Sequence, residues 1–178
     1  MIAALYVDPA GVYDRPGVDP WGVERDARRY AGPWPVVAHP PCQRWGRYAT
    51  VGGRIAGDDD ECFAAALASV RRWGGVLEHP AHSLAWRAFG LFAPLGPGWH
   101  GWLDGSHTAL VWQSAYGHRA PKPTWLFYVG HRPPPDVDTG QSDPGGRIER
   151  MCRAHREATP EPFAEYLILC ARHSARVF

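Results

Sequence analysis

The 178-residue sequence contains no asparagine and a single lysine, Lys122. All its other basic residues are arginines, and 19 bases against 18 acids leave a formal net charge of +1. There is thus no broad positive excess of the kind that draws in polyanions non-specifically. The arginine bias fits a GC-rich coding sequence, although arginine forks also suit phosphates and base edges. Long apolar runs are missing as well. None approaches the roughly 20 residues a bilayer crossing needs, which excludes a membrane-spanning helix. The apolar start Met1–Val7 is too short for a signal peptide and carries no leading charge, so the expected location is the cytoplasm. Cysteines are few, at Cys42, Cys62, Cys152 and Cys170, and in that compartment they are expected as thiols. Cys152-Arg-Ala-His155 and Cys170-Ala-Arg-His173 both space a histidine for zinc, yet no zinc-ribbon turn joins them and no metal is assigned.

What the chain does have is an ordinary globular balance, 45% hydrophobic and 21% charged, which excludes wholesale disorder. Nine tryptophans are many for this length; they suit either core and groove walls or stacking on exposed bases. Short apolar runs bounded by Gly and Pro predict strands at Ala3–Val7, Trp34–Ala38, Gly75–Leu77, Ala109–Gln113 and Trp125–Val129. Between the second and third, Asp58-Asp59-Asp60-Glu61 precedes Phe63, Ala66, Leu67 and Val70 at helical spacing, and Gly74-Gly75 would stop that helix. Strand–helix–strand is the unit of a parallel α/β sheet. Asp8–Pro20, Phe92–Gly105 and His131–Gly146 read as loops. The expected organisation is one domain: an α/β core over 1–130, a Pro/Gly-rich linker over 131–147, and a C-terminal segment over 148–178. In that last segment a helix starting at Thr159-Pro160 packs back on the core.

Two strand ends carry the chemistry. Val36-Val37-Ala38-His39-Pro40-Pro41-Cys42-Gln43 runs a strand into a proline-stiffened turn that ends in a cysteine. Gly75-Val76-Leu77-Glu78-His79-Pro80 ends the next strand in a carboxylate. Neighbouring parallel strands would bring Cys42 and Glu78 to one crevice, a thiolate nucleophile beside an acid able to stay protonated. A free thiol is little ionised at neutral pH, so nearby positive charge from His39, Arg44 or Arg47 is expected to lower it. Gln43-Arg44-Trp45-Gly46-Arg47-Tyr48 interleaves arginine with aromatics, as a loop closing over a nucleotide would. Trp34, Trp45 and Tyr48 are candidate walls for an extruded base, and each is equally a candidate for scaffold.

These segments resemble the DNA cytosine C5-methyltransferases. Pro41-Cys42-Gln43 resembles that family's nucleophile motif, and Glu78-His79-Pro80 its Glu-Asn-Val partner, with His79 in place of the asparagine. Ser114-Ala115-Tyr116-Gly117-His118-Arg119-Ala120-Pro121-Lys122-Pro123-Thr124-Trp125 is similar to the later Tyr-Gly-x-Pro-Gln strand motif. Arg156-Glu157-Ala158-Thr159-Pro160-Glu161 is similar to the last helix start, and all four follow in the family's order. The resemblance implies an abbreviated Rossmann-like methyltransferase sheet, with Cys42 adding to pyrimidine C6 and Glu78 acting at N3. It implies substrate contacts from Pro41, Gln43, Arg44, Trp45, Arg47, His79, Arg119, Lys122 and Thr124. S-adenosylmethionine would lie at Asp8, Gly11 and Asp19, where Asp8-Pro9-Ala10-Gly11 is the nearest counterpart of the family's glycine loop. No target-recognition domain is present, so a partner chain could supply DNA recognition. The small phage-type members are the nearest in kind, which would put the protein in a host cytoplasm.

Three other readings stay open. The same Cys42 addition on a 5-hydroxymethylpyrimidine would expel the hydroxyl and need no methyl donor, as in phage DNA hypermodification. A methyltransferase-derived module that only binds nucleic acid or protein would have no use for both Cys42 and Glu78. An amino-methyltransferase would take His39-Pro40-Pro41-Cys42 as a variant of the Asp-Pro-Pro-Tyr motif and would leave Glu78 without a role.

Overall fold

A computed structural model describes residues 1–46, 49–50, 55–140 and 145–175. Seven strands form one mixed sheet: β1 (Ile2–Leu5), β2 (Val18–Trp21), β3 (Val36–Ala38), β4 (Gly75–Pro80), β5 (Gly98–Gly101), β6 (His107–Trp112) and β7 (Pro123–Val129). Their order across the sheet is β2-β1-β3-β4-β7-β6-β5. The first four are parallel, while β7, β6 and β5 add on as antiparallel neighbours. A wholly parallel sheet, which the strand–helix–strand unit alone would suggest, is therefore only half the sheet. The segments joining β5 to β6 and β6 to β7 are too short to hold a crossover helix, so those strands fold back on each other.

Both strands absent from the sequence reading are edges. β2 begins inside Asp8–Pro20, contains Pro20 and runs one residue past it; β5 lies inside Phe92–Gly105 and begins and ends with glycine, Gly98 and Gly101. An edge strand pairs on one side only, tolerates proline, and needs no continuous apolar run.

One face of the sheet is covered by α1 (Cys62–Trp73), whose Phe63, Ala66, Leu67 and Val70 meet Val36, Ala38, Leu77 and Phe127. The periodicity that predicts this helix is thus the stripe it buries. Asp59 holds the helix start by accepting the Phe63 amide at 2.9 Å, and the Gly74 N–H closes its end on the Val70 carbonyl. Gly75 follows at φ +123°, so close to β3 that a Cβ there would overlap the Val36 carbonyl oxygen. Only glycine lets the chain leave α1 and enter β4 at that distance. A short α2 (Leu84–Ala88) is capped by Ser83, whose Oγ accepts the Ala85 amide.

The opposite face is covered by α4 (Glu161–Ser174), which follows a short α3 (Arg153–Glu157). Pro160 is its N-cap and Pro162 lies in the first turn, one step later than the sequence suggests. Phe163, Leu167, Cys170 and Ala171 pack against Ala4, Val37, Val76 and Tyr128. Residues 131–140 have no regular structure but are tied to this face. The Pro135 carbonyl accepts from Trp99 Nε1 and Tyr166 Oη at 3.1 Å each, and the Asp138 amide donates to Tyr116 Oη at 3.0 Å. No helix among the described residues is long and apolar enough to cross a membrane.

Candidate functional site

The chain leaves β1 to build β2 on one side, then returns to build β3 on β1's other side. Open α/β sheets place their ligands at such a reversal, outside the carboxyl ends of the strands. His39, Cys42 and Glu78 all lie at that edge. The His39 N–H donates to the Leu5 carbonyl at 3.1 Å and continues the β1–β3 ladder by one residue. Pro40 and Pro41 then end it, having no N–H to give. Cys42 opens the next turn, its carbonyl accepting from the Trp45 and Gly46 amides at 3.0 Å each.

Side chains alternate along a strand, so His39 shares its face of β3 with Val37, and Glu78 shares its face of β4 with Val76. Both point to the α4 side, where they meet. His39 Nδ1 lies 3.0 Å from Glu78 Oε2, and its Nε2 lies 2.7 Å from the Tyr13 hydroxyl. Tyr13 reaches in from the connection between β1 and β2 and is 2% exposed. On the other side of the carboxylate, Gln113 Nε2 donates to Glu78 Oε1 at 3.1 Å and to Thr124 Oγ1 at 3.0 Å. Thr124 passes its own hydroxyl to the Lys122 carbonyl at 3.2 Å. Five side chains from β3, β4, β7 and two connecting segments thus form one hydrogen-bonded row.

The electrostatics of this row differ from the expectation in two ways. Burial pushes the Glu78 carboxyl up, but the His39 hydrogen bond and charge, then the Lys122 charge, outweigh it and bring it to about 2. Glu78 is therefore a carboxylate at neutral pH, not the resident acid that its apolar strand suggested. The Cys42 thiol, in contrast, is raised by burial first and by the facing charges of Glu78 and Glu157 next. Lys122 is the cation that opposes this, where His39, Arg44 and Arg47 were expected to do so. The thiol is protonated at rest, half-buried, and within electrostatic reach of Glu78.

The remaining expected contacts scatter. Pro41 and Gln43 are exposed on the turn, Arg44 is half-buried, and Arg119 is exposed; Arg47 and Tyr48 lie outside the described residues. Lys122 is half-buried, with Nζ donating to the Ala158 carbonyl at 3.3 Å. Thr124 is fully buried inside the row. Two residues are corrected outright. His79 faces the α1 side, 1% exposed, its ring 5.2 Å from Phe63 and 6.3 Å from Trp86 between centroids. Trp45 is likewise core: it packs on Phe63 and Phe89, and its Nε1 donates to the same Asp59 carboxylate that starts α1. Both rings are turned into the α1 core, although the Trp45 amide bonds the Cys42 carbonyl and His79 reaches the Pro41 backbone.

The residues expected to hold S-adenosylmethionine are occupied otherwise. Asp8 Oδ1 accepts the Ala10 amide in a tight turn, and the Gly11 amide closes that turn on the Asp8 carbonyl. Asp19 accepts from Trp21 Nε1 at 2.8 Å and is ion-paired with Arg25. Asp8 itself remains exposed, while the Trp21 and Arg25 contacts engage both oxygens of the half-buried Asp19. Among the described residues no group of three or more His, Cys, Asp or Glu side chains is placed to hold a metal. Cys152 is exposed and Cys170 is buried in the α4 core, so their histidine spacings build no common centre.

A cavity of about 250 Å³ opens between the Gly117–Arg119 turn and the α3–α4 joint, with Met151, His155 and Thr159 on its far wall. Lys122 ties that wall to the site, since it bonds Ala158 and its charge reaches Glu78 and Cys42. Tyr13 and Gln113 were missed in the sequence. Gln113 stands at the end of an expected strand and could have been read as an edge residue; Tyr13 arrives through an irregular connection that no spacing rule registers.

Comparison with known proteins adds no relative: no family model matches the chain, and no characterised protein or solved structure is similar to it beyond chance.

Proposed function

We propose that the chain is an enzyme that modifies pyrimidines in DNA through transient addition of Cys42 to ring carbon C6. The observation that carries this reading is a half-buried thiol just past the end of β3 and a buried carboxylate in the adjacent parallel β4, one residue beyond the last β3–β4 pair, with the carboxylate's charge reaching the thiol. The sheet is read as an abbreviated Rossmann-like methyltransferase sheet, on the strength of its parallel half and its reversal between β1 and β3.

In the proposed reaction Cys42 loses its proton to solvent and its sulfur bonds to C6. The C5–C6 π pair moves to C4–C5, and the C4–N3 pair takes up a proton at N3. In this reading Glu78 accepts the exocyclic N–H and acts at N3. C5 is then nucleophilic. With no other electrophile present it takes a proton from water, loses the one it carried, and the sulfur leaves as the ring is restored. That exchange balances by itself. A methyl donor, where one is bound, would supply the electrophile that C5 takes instead.

The same geometry accommodates a second reading, favoured by the engaged Asp8 and Asp19. On a 5-hydroxymethylpyrimidine, addition of sulfur would expel hydroxide from the exocyclic carbon, and an amine would add there before the sulfur leaves. The test is release of tritium from C5-labelled cytosine in single-stranded DNA, with and without S-adenosylmethionine, by wild type and Cys42→Ala. Release that requires Cys42 supports covalent addition, and acceleration by the donor identifies methyl transfer. Release that persists in Cys42→Ala, or neither tritium release from cytosine nor Cys42-dependent loss of the hydroxyl from a 5-hydroxymethyl substrate, overturns the reading and leaves a binding module.

A further inference from the structure

The row Tyr13–His39–Glu78 is more than a thiol and an acid require. Covalent addition needs a proton delivered to N3 while Glu78, the group aimed there, rests without one. The nearest side chain able to carry one is His39, whose Nδ1 lies 3.0 Å from Oε2. We infer that His39 is the proton store of this site, passing its Nδ1 proton through Glu78 to ring N3 as the sulfur–C6 bond forms, and that Tyr13 is a positioning residue that holds the imidazole in line. The inference rests on the pyrimidine reading above.

The balance is simple. As C6 gains sulfur, N3 gains the proton and His39 becomes neutral; as sulfur leaves, the proton returns by the same path and Cys42 is reprotonated from solvent. Tyr13 is suited to positioning rather than reaction, since burial and the charge of Glu78 raise its phenol well above the ordinary range. Its hydroxyl at 2.7 Å fixes the ring through Nε2, which leaves Nδ1 facing the carboxylate. The charges around His39 come from every side of the site. Glu78 faces it from β4, the buried and neutral His79 lies behind on the same strand, Tyr13 stands on the β1–β2 connection, and Lys122 and Cys42 act on Glu78 and its surroundings.

The experiment measures C5-tritium exchange against pH for wild type, His39→Gln, His39→Ala with and without added imidazole, and Tyr13→Phe. The Glu78 carboxyl is followed in the same proteins by carbon NMR. His39→Gln is expected to lose about 100-fold in exchange, the scale of one general acid. Imidazole is expected to restore part of the rate in His39→Ala, an effect that a purely structural role would not produce. Tyr13→Phe is expected to lose about tenfold or less. In the free protein Glu78 titrates near 2, and in His39→Gln it moves upward because burial is then less opposed. Cys42-dependent exchange that is indifferent to His39→Gln, or a Glu78 titration unmoved by it, sinks the proton store and spares the pyrimidine reading. Absence of any Cys42-dependent exchange sinks both.

Discussion

On one side of β4 the Glu78 carboxylate is held between His39 and Gln113; one residue on, and on the other side, the His79 ring is enclosed by Phe63 and Trp86. Both side chains are buried and both titrate below their ordinary values, near 2 for Glu78 and near 4 for His79. The causes are opposite. Burial raises Glu78, and its donors and nearby cations overcome it; burial itself lowers His79, and the Glu78 charge only softens the effect. At neutral pH the first is therefore charged and the second is not. Two ionisable groups 3.8 Å apart along the backbone acquire different trades because a strand sends neighbours to opposite faces.

The largest expected effect breaks this contrast at the charged side. Glu78→Gln keeps the shape and removes the charge, and it is expected to cost on the order of 10³-fold in Cys42-dependent exchange, within the range of a lost acid–base group. Exchange within tenfold of wild type would show that the charged face is no different in kind from the apolar one.

The next prediction uses acid. As pH falls from about 6.5 to about 4, an unfolded chain protonates His79 while the folded one does not, so stability is lost across that window. The full shift corresponds to about 3 kcal/mol. Glu78 contributes in a lower window, since its folded value lies below its ordinary 4.5: its stabilisation is complete above that pH and is lost as pH falls toward 2. Urea unfolding at pH 7, 5 and 3 separates them. His79→Leu, which removes the buried imidazole and its link to the Pro41 backbone, is expected to flatten the upper step alone. Loss of exchange at pH 7 in this variant would instead return His79 to the substrate site.

How much of this was visible beforehand follows the same division. The α1 stripe, the two strand ends and the Cys42–Glu78 juxtaposition were legible, because hydrophobic period and Gly/Pro punctuation are local signals. β2 and β5 were not, because an edge strand needs no apolar run and Pro20 and Gly98 read as loop. The ionised state of Glu78 was not legible either. It depends on His39, just past β3 and 39 residues away in sequence, and on the Lys122 charge. Trp45 misled for a related reason: an aromatic between arginines looks like a stacking platform until the Asp59 carboxylate that takes its N–H is placed.

A smaller effect sharpens the contrast within the row. Gln113→Leu removes the donor to Glu78 Oε1 while leaving His39 in place. The carboxylate then has one donor fewer inside the protein, so its titration is expected to rise from about 2. Urea unfolding at pH 7 is expected to give a stability lower by about 2 kcal/mol, the cost of a charged group losing a hydrogen bond in the interior. An unchanged titration would mean that His39 alone holds the charge.

The smallest effect concerns Thr124, which the sequence suggested as a substrate contact and which is fully buried beside Gln113. Its hydroxyl accepts from Gln113 Nε2 and donates to the Lys122 carbonyl, so it orients the amide that in turn orients the carboxylate. Thr124→Val keeps the β-branched shape and removes only the hydroxyl. Stability is expected to fall by about 1 kcal/mol, with exchange reduced by less than tenfold through kcat and KM for the oligonucleotide unchanged. A rise in KM would place the hydroxyl in contact with the base. A fall in kcat alone is the signature of a group acting two hydrogen bonds away, and it would extend the charged face of β4 into the start of β7 while leaving the His79 face untouched.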